Sequence, residues 1–161
     1  MVTKQRDGEG GVVKRWMSRR RLLGLVDAAR VNDAIRKAEQ GSTGKVGVSI
    51  AAPFWGDAHR TARRAFERLG MHRTPHRNAV LLFLVPSRRR FVILGDSAIH
   101  DKVGDAFWRR LSHVLCERFR TEDFTGGLVH GIEAVGEALR LHFSHQDAAV
   151  GKGARPVGDP R

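Results

Sequence analysis

Seven consecutive apolar residues, Ala79-Val80-Leu81-Leu82-Phe83-Leu84-Val85, constrain this chain more than any other feature. A strand with one face in water alternates apolar and polar side chains. A strand with no polar position must be covered on both faces. The run is far short of the ~20 residues that a membrane-spanning helix needs. It is therefore expected as the central strand of a sheet with layers packed on either side. Pro86-Ser87 ends it, and Phe91-Val92-Ile93-Leu94 follows within five residues of Pro86. A parallel crossover needs a dozen or more residues, so this second run is expected to return as an antiparallel hairpin.

The neighbouring segments supply the covering layers. Val46, Val48 and Ile50 alternate with Lys45, Gly47 and Ser49, the period of a half-buried strand. Asp27 is placed to cap a helix running to about Gln40, with Val31, Ala34, Ile35 and Ala38 on one face. Asp57 is placed to cap a second, carrying Ala58, Ala62, Ala65, Phe66 and Leu69. Asp101 is expected to cap a long helix with Val103, Phe107, Leu111, Leu115 and Phe119 on its stripe. Thr125 is expected to cap the last, with Leu128, Ile132, Val135, Leu139 and Phe143 inward. The order helix–strand–helix–strand–strand–helix–helix predicts an α/β fold. It is expected to be a three-layer α/β/α sandwich with a small mixed β-sheet and helices on both faces.

The chain is strongly basic, with a net charge of +12 over 161 residues. Residues 1–21 hold seven basic and two acidic side chains, so nearly half the excess lies in an arm with no apolar face. That arm is expected to be disordered, the folded domain to span 22–143, and the Gly- and Pro-bearing stretch 144–161 to be a disordered tail. The arm lacks the apolar stretch of a signal peptide. Arg19, Arg20 and Arg21 are candidate contacts for an anionic lipid surface, each worth ~1 kcal/mol there. Nucleic-acid binding is the weaker reading of the same charge. The phenylalanines fall on core stripes, leaving Trp16, Trp55 and Trp108 as the aromatic residues expected outside. One cysteine, Cys116, excludes an intramolecular disulfide and a four-cysteine zinc site.

The stretch from Arg77-Asn78-Ala79 through Pro86 and Gly95-Asp96, with Phe124-x-x-Gly127-Leu128 opening the last helix, resembles the TPM domain family. The likeness covers about Asp27 to Phe143. It implies an α/β/α sandwich and a role as a binding or accessory module for membrane assemblies, with an unidentified protein partner. A cytoplasmic location, peripheral at the inner membrane face, follows as an expectation. Some members are reported as acid phosphatases and some bind calcium or another divalent ion, so a metal-dependent, phosphatase-like hydrolase is the alternative. Metal-associated members carry Asp-Asn-Gly at the head of the central strand and Gly-Tyr-Gly-x-Glu after the hairpin. Here these positions read Arg77-Asn78-Ala79 and Gly95-Asp96-Ser97-Ala98-Ile99-His100, so a base replaces an acid and a histidine stands at the glutamate position.

Antiparallel pairing places the head of the central strand and the exit of its neighbour at one edge of the sheet. Arg77, Asn78 and Gly95 are therefore candidate ligand-binding residues. Asp96 and His100 are the candidate catalytic pair, a carboxylate base and a proton carrier near neutral pH. Asp96 with Asp101 is the candidate metal pair, because hard cations take carboxylate oxygens.

Overall fold

A computed structural model describes residues 2–5, as backbone, and 17–146. The central apolar run is strand β3 (Ala79–Val85), buried at every position. Strand β2 (Lys45–Ile50) pairs parallel to it, Val46 opposite Val80. Strand β4 (Arg90–Gly95) pairs antiparallel on its other side, Leu82 opposite Ile93. A further strand, β1 (Val2–Gln5), adds antiparallel to β4, with Val2 opposite Leu94 and Gln5 opposite Phe91. The sheet order is β1-β4-β3-β2, so the fully apolar strand is internal, as its sequence requires.

Alternation along β3 feeds two cores. Val80, Leu82 and Leu84, with Phe91 and Ile93, face helices α1 (Arg19–Leu25), α2 (Ala28–Glu39), α4 (Ser97–Arg120) and α5 (Phe124–His142). Ala79, Leu81, Phe83 and Val85, with Val92 and Leu94, face helix α3 (Ala58–Arg68). The outcome is the expected three-layer α/β/α arrangement around a mixed sheet. Asp27 and Asp57 cap α2 and α3, each accepting the amide of the third residue on, Arg30 and Arg60.

Four expectations about local structure change. The arm over 1–21 was expected to be disordered, but its two ends are ordered. Val2–Gln5 is a strand, and Arg19–Leu25 is a helix capped by Ser18, with Leu22 buried. Residues 6–16, with Trp16, lie outside the described residues. Of the tail, Ser144 bridges Ser42, and 147–161 lie outside the described residues. The long helix is not capped by Asp101. It starts at Asp96, whose carboxylate accepts the Ser97 amide at 2.7 Å, and it breaks at Gly104, held at φ 72° and ψ 173°. The last helix is capped by Asp123, which takes the Gly126 amide at 3.0 Å. Thr125 instead accepts the Asp27 amide at 3.0 Å, tying α5 to the start of α2.

Candidate functional site: a closed polar cluster at one sheet edge

The head of β3 and the exit of β4 are stitched together by backbone. Asp96 N–H donates to Ala79 O at 2.9 Å, and Ala98 N–H to Arg77 O at 3.0 Å. This brings Arg77, Asn78, Gly95 and Asp96 to one edge, as antiparallel pairing predicts. Arg77 occupies the left-handed region at φ 52°. Such a conformation costs a non-glycine residue of order 1–3 kcal/mol and persists only where neighbours fix it.

Asp96 is the buried member of the cluster, its side chain 1% exposed against 57% for Arg77. Arg77 Nε donates to Asp96 Oδ2 at 3.1 Å and Oδ1 at 3.3 Å. Oδ1 also takes the Ser97 amide. Both carboxylate oxygens are thus committed, one to a guanidinium and the other shared with a helix start. Asn78 is fully buried. Its Nδ2 donates to Thr43 Oγ1 at 2.9 Å and its backbone N–H to Thr74 Oγ1 at 3.3 Å, which ties the loops before β2 and β3 to this edge. Asn78 Oδ1 has no partner.

Gly95 acts through its missing side chain. A Cβ there would lie 2.5 Å from Trp108 Cζ2, so the indole covers the end of β4 by direct contact with its backbone. Trp108, expected outside, is 1% exposed. Its Nε1 donates to His100 Nδ1 at 3.1 Å. With Nδ1 accepting, a neutral His100 carries its proton on Nε2, which lies 3.6 Å from Asp105 Oδ1. The His100 ring is therefore held by Trp108 and Asp105. Its only bond to Asp96 is through backbone, His100 N–H to Asp96 O at 3.0 Å. Asp101 is exposed in the first segment of α4 and makes none of these contacts. The structure therefore joins Arg77, Asn78, Gly95 and Asp96, and leaves the His100 ring and the exposed Asp101 without a bond to the Asp96 carboxylate. Sequence reasoning missed Thr43, Thr74 and Trp108. The one signal for Trp108 was Gly95, a strand residue with room for a ring.

The arginines of α1 sit at the other edge. Arg19 Nε donates to Ile50 O, at the carboxyl end of β2, at 2.7 Å. Arg19, Arg20 and Arg21 are all exposed. Arg21 Nη2 lies 4.0 Å from Glu122. About 20 Å of strand separates this edge from the polar cluster, taking the steps between the seven residues of β3 at ~3.3 Å each.

Residues 19–138 match the model of the TPM domain family. The chain belongs to that family. Among solved structures it is similar to the BA42 protein of the psychrophilic bacterium Bizionia argentinensis. The two are 34% identical, with a TM-score of 0.68 over 74% of this chain and 84% of that one. The N-terminal domain of the cg2496 protein of Corynebacterium glutamicum shares the fold at 19% identity. Its TM-score is 0.56 over 72% of this chain and 75% of that one. No curated protein matches.

The divalent-cation site implied by the family resemblance does not fit the donors present. A calcium ion takes six to eight oxygens, several of them carboxylate. Here the one buried carboxylate is held by a guanidinium, and Asn78 Oδ1 is the single uncommitted oxygen. Among the described residues no group of three His, Cys, Asp or Glu is placed to hold a metal ion. The Arg77 guanidinium supplies the positive charge this carboxylate needs.

Proposed function

We propose that this TPM domain is a binding and accessory module that attaches peripherally to an anionic membrane surface, where it meets a protein partner. The observation that carries this reading is the separation of charge in the fold. The polar cluster is neutralised internally by Arg77 and Asp96, whereas Arg19, Arg20 and Arg21 stand exposed at the opposite edge. Anionic lipid attracts such a group by ~1 kcal/mol per basic residue, without a deep pocket. No described helix is long and apolar enough to cross a membrane, and the attachment proposed is by surface contact. Hydrolysis at Asp96 would ask for a carboxylate free to take a proton or a metal, and this one is committed on both oxygens.

The test is flotation of the full chain with vesicles of phosphatidylcholine, with and without phosphatidylglycerol. Binding should need the anionic lipid and fall with salt, since surface charge is screened within ~8–10 Å at physiological ionic strength. Deleting residues 1–21 is a poor control, because Val2–Gln5 is part of the sheet and Met17 part of the core. The double substitution Arg20→Glu and Arg21→Glu leaves both in place. It should weaken binding by at least about thirtyfold, two residues at ~1 kcal/mol each. Undiminished binding would refute the role of these residues.

A further inference from the structure

We infer that Trp55 is an interfacial anchor, presented to the lipid by a loop that Arg88 clamps, and that this edge is the membrane-facing surface. The inference rests on the membrane reading above and names the surface that carries it. Trp55 is 99% exposed, at the tip of the segment Pro53-Phe54-Trp55-Gly56 that follows β2. An indole wholly in water is an unusual place for the side chain with the largest apolar area. Disorder of the loop is not the cause, because its base is fixed on both sides of the tip. Arg88, in the turn after β3, donates from its two terminal nitrogens to the carbonyls of Phe54 and Gly56. Its guanidinium carbon lies 4.4 Å from the Phe54 ring centroid. Phe54 in turn packs on Phe83 of the central strand, with ring centroids 6.4 Å apart. The carbonyls flanking Trp55 are pinned and its ring neighbour is anchored inward, so the indole is held outward.

The surroundings match an anionic bilayer. The carboxyl ends of β2 and β3 bring together the Trp55 loop, the Arg88 turn and the start of α1, where Arg19 bonds Ile50 O. Arg19 and Arg20 lie three to four residues before Leu23 and so share a helix face with it. Leu23 is 44% exposed. One tryptophan and one leucine amid arginines is the combination that sits at headgroup level, rings at the interface and cations at the phosphates. Acidic groups near this edge are already engaged. Asp57 caps α3, Glu122 faces Arg21, and Asp123 holds Arg118 at 2.9 Å. A single-stranded nucleic acid would need successive aromatic platforms along a groove. Among the described residues Trp55 is the sole large aromatic side chain that is exposed.

The experiment compares the full chain with Trp55→Ala, and with Leu141→Ala as a control. Leu141 is 74% exposed, at the end of α5 next to Phe143, whose carbonyl accepts the Thr43 amide by the polar cluster. Partition into phosphatidylcholine–phosphatidylglycerol vesicles should fall about tenfold or more for Trp55→Ala, the scale of losing one large buried apolar side chain. It should be unchanged for Leu141→Ala. Brominated acyl chains should quench the tryptophan emission of the native chain, and that quenching should be lost in Trp55→Ala. If the native chain binds anionic vesicles but Trp55→Ala binds and is quenched equally well, this inference is overturned and the membrane reading stands. If the native chain ignores such vesicles, both fall. Loss of oligonucleotide binding in Trp55→Ala, with no vesicle binding by either form, would reassign the surface to nucleic acid and overturn the lipid assignment.

Discussion

Replacing Arg77 by alanine is expected to destabilise the fold more than replacing Asp96, although each removes the same ion pair. The difference follows from burial, with Asp96 1% exposed and Arg77 57%. In Asp96→Ala the guanidinium left behind already stands more than half in water and rehydrates. The loss is then the helix cap on Ser97, typically ~1 kcal/mol, plus an ion pair whose exposed partner limits it to ~1 kcal/mol. The total is about 1–2 kcal/mol. In Arg77→Ala a carboxylate stays enclosed with the Ser97 amide as its remaining partner. Unpairing a fully buried charge costs ~3–5 kcal/mol. Because removing Arg77 also opens a path for water, the lower end applies, about 3 kcal/mol. Both alanine variants should be compared by urea unfolding at equilibrium, where a shifted midpoint at constant slope reports stability alone. A loss in Asp96→Ala equal to or greater than that in Arg77→Ala would show that the buried carboxylate does not carry the larger penalty. Arg77→Gly separates charge from backbone. It should recover about 1 kcal/mol relative to Arg77→Ala, because glycine accepts φ 52° without strain.

Gly95→Ala should displace Trp108, since its Cβ would lie 2.5 Å from the indole. The expected loss is about 1–3 kcal/mol, with a change in the near-ultraviolet circular dichroism of the buried tryptophan. Gly136→Val should cost a similar amount, measured as a lowered urea midpoint. Its Cβ would meet the Ala38 backbone of α2 at 2.8 Å, where two helices rather than a flexible side chain must give. Turnover of a generic phosphomonoester should stay at background and be unchanged by Asp96→Ala. Turnover well above background in the native chain that falls about 100-fold in that variant, the scale of losing a catalytic acid or base, would restore the hydrolytic reading.

The sheet's interior was legible because burial on two faces leaves an unbroken pattern, and Ala79–Val85 has no polar position at which to misplace a face. Asp27 and Asp57 were legible as caps because each stands within one helical turn of the start of a periodic stripe, four residues before Val31 and one before Ala58. Strand β1 was not. Val2-Thr3-Lys4-Gln5 is short and mostly polar, and its pairing with β4 is a long-range event that leaves no local signal. Helix α1 was hidden for a related reason, being a basic segment docked through Leu22. The break at Gly104 resets the phase of α4, so the stripe read from Val103 onward did not locate Ile99 or Trp108 in the core. In the polar cluster, pairing geometry correctly joined Arg77, Asn78, Gly95 and Asp96. His100 and Asp101 make no side-chain bond to the Asp96 carboxylate, because adjacency in sequence does not fix side-chain direction. His100 turns to Trp108, a partner eight residues away across the break.

The most direct test is a thermal melt of the full chain in chelator, then in millimolar calcium, magnesium or manganese. A ligand bound by the folded state alone raises stability by RT ln(1 + [L]/Kd), about 2.7 kcal/mol at a hundredfold excess over Kd. With Arg77 neutralising Asp96, the melting temperature should be the same in every ion. A clear rise that disappears in Asp96→Ala would contradict the account. It would mean that the carboxylate releases its arginine for a metal and that this edge of the sheet is a working site.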